Sequence, residues 1–348
     1  MNNTRNRRRT FQIGDVSIHF ITRNATLLQL TGNWMSKFEM PMSKITSPTI
    51  RFTMIGFKSN ERVPFPLPVD ANLLYKNHFT QYYAYRDLWI ILLQSATVII
   101  NRSSNKIVAF AHYNDLRKSK YLEDFMHPLF ELLRQNGVYA HHAAAVSKAG
   151  QGLLLLGKSG QGKTTLSVDL LSRGFDFLAD DRCFLRENEV GWEVLGFYEP
   201  IRYYPDNVDH IQEVHKMKND LTQPVMSNGK AQLDLYPLYS QRIIDCSHVA
   251  GLVFPSHSPE EQTSRLEPMT TSEALITLLP LTMVCFDRTT SRSHFDFCVR
   301  LTTSLPAVKL VMGQDRERWH ELVEQFLSSI PPEHETRDGN HHQQDHCN

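Results

Sequence analysis

Gly157-Lys158-Ser159-Gly160-Gln161-Gly162-Lys163-Thr164 satisfies every fixed position of the phosphate-binding pattern G-x-x-x-x-G-K-[ST]. The spacing has a chemical reason: glycines let the backbone curl into a nest whose N–H groups point at phosphate oxygens with no Cβ in the way. Lys163 then reaches the β- and γ-phosphates, and the Thr164 hydroxyl holds Mg²⁺. The segment through Thr165 is therefore expected to bind a nucleoside triphosphate. Farther along, Asp180-Asp181 closes a short apolar run. Phosphoryl transfer needs a metal clamp and a group that takes the proton of the attacking hydroxyl, and carboxylates at a strand end suit both tasks. Successive residues of an extended chain point opposite ways, so the two carboxylates should differ in role.

These residues need elements to position them. Residues 153–156 read as a buried strand before the glycine loop and residues 165–171 as a helix after it, the order a phosphate loop requires. Residues 175–179 read as the strand that delivers the aspartates. His141-His142 precede the small-residue run Ala143-Ala144-Ala145-Val146, expected as a strand beside the phosphate-loop strand, where a histidine is ordinarily structural. Residues 183–186 and 192–195 flank a polar turn and read as a hairpin. Residues 206–230 are polar, irregular and expected to be mobile. Then follow a strand at 250–254, a helix at 270–279 opened by the capping-box spacing Thr270-x-x-Glu273, and an amphipathic helix at 315–327 that buries Trp319, Leu322, Val323 and Phe326.

The first third is different in texture. Short β-rich stretches at 49–57, 88–93 and 106–111 are separated by turn clusters, including Pro64, Pro66 and Pro68 and a hairpin turn at 102–105. Residues 121–135 carry apolar residues at helical spacing with Pro128 inside the pattern. The longest apolar run, residues 88–100, is too short for a bilayer, is broken by Gln94, Ser95 and Thr97, and reads as paired strands. The organisation expected is a basic leader (1–10, with Arg5, Arg7, Arg8 and Arg9 solvated and unstructured), a β-rich lobe (11–118), a phosphate-loop domain (119–330) and a disordered His-rich tail (331–348).

At 348 residues and 41% hydrophobic content the chain has room for full cores. Lys plus Arg equals Asp plus Glu at 37 each, so no global field favours nucleic acid or an anionic membrane. Five cysteines lie scattered without C-x-x-C spacing, and no secretory leader is evident, which points to the reducing cytoplasm.

The block 139–186 resembles the catalytic domain of bacterial HPr kinase/phosphorylase, a serine kinase family whose nucleotide fold is related to that of phosphoenolpyruvate carboxykinase. The resemblance rests on His142, the glycine loop, Leu171-Ser172-Arg173-Gly174-Phe175 and Leu178-Ala179-Asp180-Asp181 at ungapped spacing. It implies an α/β P-loop kinase fold beside the N-terminal β-rich lobe. It also implies Asp181 as the base, Asp180 as metal support, His142 beside the transferring phosphate, Lys163 neutralising that phosphate and Thr164 on Mg²⁺. Residues 195–202, 251–255 and 267–279 look, more loosely, like later segments of HPr-kinase-like proteins found beside peptide-modifying genes, lasso-peptide kinases included. The family's Leu-Glu-Ile-Arg-Gly signature is absent. Glu199-Pro200-Ile201-Arg202 is the nearest analogue and nominates Glu199 for metal and Arg202 for nucleotide. Lys230 is open between a phosphate or substrate contact and a solvated loop lysine.

The expectation is an ATP- and Mg²⁺-dependent kinase acting on a serine-type hydroxyl of a peptide or small protein, natural-product precursors included. Two alternatives are a small-metabolite acceptor on the same site and a nucleotide-gated regulatory module without transfer; the carboxylate pair disfavours the second. Family resemblance further implies an oligomer.

Overall fold

A computed structural model describes residues 7–41, 44–45, 47–57, 66–93, 96–112, 120–204, 229–258, 260–282, 285 and 288–331. The chain divides into two units, Met1–Tyr139 with Val284–His294, and Ala140–Met283 with Phe295–Asn348.

The first unit is built on an eight-stranded sheet. Its strands are β1 (Arg7–Ile13), β2 (Val16–Thr22), β3 (Ile50–Phe57), β4 (Asn72–Lys76), β5 (Thr80–Tyr85), β6 (Leu88–Leu93), β7 (Ala96–Asn101) and β8 (Lys106–His112), in the order β1-β2-β3-β8-β7-β6-β5-β4. β3 runs parallel to β2 and β8, and the other neighbours are antiparallel. Helices α1 (Ala25–Trp34) and α2 (Lys120–Gln135) lie against it, α1 on β1 and β2 and α2 on β7 and β8. The long apolar run becomes the β6–β7 hairpin, because Trp89, Ile90, Ile91, Val98 and Ile100 are all buried in the sheet. Arg7 to Thr10 are not part of an unstructured leader: they pair with Thr22 to His19. Phe11 and Ile13 are fully buried, and the ladder they anchor runs on through the arginines, which stay toward solvent while Arg9 bonds Glu39 at 2.6 Å. The unit also reaches past residue 118 to Tyr139, so α2 belongs with the β-rich lobe. Residues 1–6, most of the polar stretch (205–228) and the His-rich tail from 332 lie outside the described residues.

The second unit carries a nine-stranded sheet, which with its helices makes this part α/β. Its strands are β9 (Tyr139–His141), β10 (Ala143–Lys148), β11 (Gln151–Leu156), β12 (Asp176–Ala179), β13 (Cys183–Asn188), β14 (Gly191–Leu195), β17 (Cys246–His257), β18 (Arg265–Pro268) and β19 (Ala307–Met312). β15 (Ile201–Tyr203) and β16 (Ala231–Leu233) form a separate two-stranded hairpin. β10 lies between β12 and β11, antiparallel to both, while β11, β17 and β19 are mutually parallel. Leu153 to Leu156 are fully buried, which is why this run reads as uninterrupted leucine. Helix α3 (Lys163–Ser172) presses Leu166 and Leu170 onto Leu153, Leu155, Phe175 and the final helix, Glu317–Ser329. Its other side, Val168 and Leu171, packs on Ile201, Tyr203 and Leu233 of the β15–β16 hairpin. The helix Thr271–Leu278 starts with both bonds of the Thr270/Glu273 capping box.

Among the described residues no helix is long and apolar enough to cross a membrane, and Cys183, Cys285 and Cys298 are not in disulfides.

Candidate active site

Strand direction assembles the site. Because β10 is antiparallel to both neighbours, its first residues lie beside the last residues of β11 and β12: Ala143 faces Leu156, and Ala145 faces Ala179. Three chain ends therefore meet, bringing His142, the glycine loop after Leu156 and the aspartates after Ala179 to one sheet edge. The parallel partners β17 and β19 finish at the same edge, His257 opposite Met312. Ligands of α/β sheets bind outside such carboxyl ends.

The loop has the backbone of a phosphate nest. Gly160 (φ 88°) and Gly162 (φ 95°) are left-handed, a region where a side chain is strained, and α3 begins directly after Gly162 with its N–H groups facing the cavity. A Cβ at Gly157 would stand 2.5 Å from the Gln161 Oε1 that accepts from the Lys158 N–H and would displace that side chain. The Lys163 ammonium is buried, donating to the carbonyls of Gly157 at 2.6 Å and Lys158 at 3.2 Å. Burial holds its pKa below the usual lysine range, opposed by Asp180 and Asp181 and reinforced by Lys230.

The two aspartates both reach the cavity, because the chain leaves its extended conformation after Ala179. Asp180 is buried, accepts the Thr164 hydroxyl at 3.0 Å, and is pushed up to about 6 by that burial. Asp181 is more open, with 43% of its side chain exposed. His142 Nδ1 lies 3.1 Å from its carboxylate and 2.9 Å from its carbonyl oxygen, and this hydrogen bond above all lowers the Asp181 carboxyl to about 2. On its other side, His142 Nε2 lies 3.3 Å from Lys163 Nζ.

These groups line one cavity of about 350 Å³, together with Ser159, Thr165, Arg202 and Lys230. Gly157, Lys158 and Gln161, expected among the nucleotide-binding residues, are not among the lining residues. Glu199 is not among the lining residues: from the stretch that stands in for the missing signature, only Arg202 reaches the cavity. Tyr203, Tyr204, His257, Met312 and Trp319 also line it and were not anticipated. Nothing local marks them, since each is brought there by a strand end or helix far away in sequence. The donor set beside the loop, a threonine hydroxyl and a buried carboxylate, consists of hard oxygens that suit Mg²⁺, and a cation there would bring the raised Asp180 pKa back down.

The fold and site define an α/β protein with a phosphate-loop strand–loop–helix and an acid–histidine–lysine cluster at its mouth. Sequence comparison then shows what the chain is similar to. The chain is 32% identical over 91 residues to the HPr kinase/phosphorylase of Chlorobium phaeovibrioides, a match covering 26% of this chain and 24% of that protein. It is 40% identical over 98 residues to that of Chlorobium luteolum, covering 28% and 26%. The chain thus spans about a quarter of the length of the curated relatives it matches. No family model matches. The solved HPr(Ser) kinase/phosphatase of Coxiella burnetii aligns with 54% of this chain and 95% of its own at 13% identity and a TM-score of 0.28. Over about a quarter of its length the chain is thus similar to HPr kinase/phosphorylases.

Proposed function

We propose that this protein is an ATP- and Mg²⁺-dependent phosphotransferase that moves the γ-phosphoryl group to a serine-type hydroxyl of a peptide or small protein, with natural-product precursor peptides among the candidates. The observation that carries the reading is the convergence of Lys163, Thr164, Asp180, Asp181 and His142 on a single cavity. The relatives named HPr kinase/phosphorylase support it.

The residues divide the work. The loop N–H groups and Lys163 bind the phosphates, and the lysine must leave the carbonyls of Gly157 and Lys158 to do so. Thr164 and Asp180 would hold Mg²⁺, which when bound spreads the charge of the transferring group. The acceptor oxygen forms its bond to the γ-phosphorus as the bond from phosphorus to the β–γ bridging oxygen breaks, leaving ADP. Asp181, ionised at neutral pH, takes the hydroxyl proton. A carboxylate this acidic is a weak base, which suits a loose transition state in which phosphorus–oxygen cleavage runs ahead of proton transfer. His142 keeps that carboxylate aimed and charged.

The test incubates the protein with γ-labelled ATP, Mg²⁺ and a size-fractionated cell extract. Label should pass to a peptide or protein fraction, and Asp181→Asn should cut transfer by about 10²-fold or more with nucleotide affinity nearly unchanged. Transfer at the normal rate by that variant would remove Asp181 from the mechanism. Label found only on small metabolites would replace the acceptor class.

A further inference from the structure

The β15–β16 hairpin contributes more to the cavity than a wall. Ile201 pairs with Leu233, Arg202 with Gln232 and Tyr203 with Ala231, which sets Tyr204 and Lys230 opposite each other on the next rung. Tyr203 is buried toward α3, whereas the Tyr204 ring is 47% exposed and carries the Lys230 ammonium 5.0 Å from its centroid. Both residues line the cavity. Arg202, on the rung between Ile201 and Tyr203, lines the same cavity as Asp181. The phosphates already have the loop N–H groups, Lys163 and the Thr164/Asp180 metal ligands. A second lysine held over a half-exposed aromatic ring in the same cavity is available to what enters after the nucleotide.

We propose that Tyr204 and Lys230 form an acceptor-selecting rim for a peptide whose phosphorylated hydroxyl is flanked by an acidic side chain. The carboxylate meets the Lys230 ammonium, and the neighbouring peptide surface lies on the Tyr204 ring. The inference rests on the phosphotransfer reading above and adds the chemistry of the acceptor to it.

The full-length protein, saturated with Mg²⁺ and a non-hydrolysable ATP analogue, would be offered a library of serine peptides with Glu or Lys fixed beside the serine, and the bound peptides sequenced. Wild type should favour Glu-flanked peptides by about fivefold, the effect of one exposed ion pair. Lys230→Glu should reverse the preference, and Lys230→Met, which keeps the stem on the ring, should abolish it. ATP affinity, measured by calorimetry, should stay within about twofold in both variants. A wild-type ratio near one, or a preference unchanged in Lys230→Glu, overturns the proposal. So does a tenfold loss of ATP affinity in Lys230→Met, which would return Lys230 to the nucleotide. Failure of the parent reading is seen separately, as wild-type protein whose ATP affinity is no better than that of Lys163→Ala.

Discussion

Two neighbouring parts of the site treat the same side chain in opposite ways. On the inner side, the first turn of α3 takes in Asp180: the carboxyl is buried, bonded to the Thr164 hydroxyl and raised to about 6. On the outer side, where β10 begins, Asp181 is half-open, bonded to His142 and lowered to about 2. Adjacent residues of one type thus sit far apart in acidity, because burial dominates at the first and a hydrogen bond to the charged form dominates at the second. Carboxylates pushed apart in this way mark a division of roles. The proposed roles follow that split, a cation site at the inner carboxylate and a proton acceptor at the outer one.

The strongest challenge to that division is Asp180→Asn. It should weaken Mg²⁺-dependent ATP binding by about 100-fold, read by calorimetry with and without the metal. The same substitution should stabilise the fold at neutral pH. The folded pKa of Asp180 lies above the ordinary aspartate value of 3.8, so the native state binds the proton more tightly and loses stability as pH rises from that value through about 6. An uncharged isostere escapes this loss, and a gain on the order of 2 kcal/mol in denaturant unfolding at pH 7 is expected. A variant less stable than wild type at neutral pH would mean that burial does not govern this carboxyl.

His142→Ala probes the outer side. Without its hydrogen bond the Asp181 carboxyl should rise toward the usual carboxylate range, and turnover should fall about tenfold with Mg²⁺ affinity unchanged. Loss of Mg²⁺ affinity instead would merge the two sides into one unit.

The mildest test is a pH series on wild type. Mg²⁺-dependent ATP binding should decline on acidification as Asp180 takes up its proton, with a midpoint that moves up toward about 6 as Mg²⁺ is lowered. Binding that stays flat from about pH 5 to 8 would contradict the inner-side assignment.

Legibility in the sequence followed how local each feature is. The glycine loop, its strand and its helix could be read because their signals are contiguous, and the small-residue run Ala143 to Val146 does form the strand beside the loop. The capping box of Thr271–Leu278 and the buried stripe of the final helix were legible for the same reason. The helix Arg288–Ser304 was not. Its buried stripe is Thr290, His294, Phe297, Cys298, Leu301 and Thr302, helically spaced but half polar, so hydrophobic periodicity fails to report it. The strand through Arg7 to Thr10 was hidden by charge that an edge strand can carry toward solvent.

Residue types and spacing by themselves determined that a glycine loop of the phosphate-binding pattern joins a strand to a helix, that Lys163 and Thr164 open that helix and that two carboxylates follow. Those facts reside in short stretches of backbone whose conformational freedom is set by glycine and by the strand–loop–helix succession. Only the tertiary structure decided which aspartate is buried, that His142 reaches the other one, and that Arg202, Tyr204, Lys230 and His257 share their cavity while Glu199 does not. Burial and hydrogen-bond geometry depend on which chain ends the sheet brings together, and the antiparallel placement of β10 between β11 and β12 is a long-range choice that no local pattern encodes.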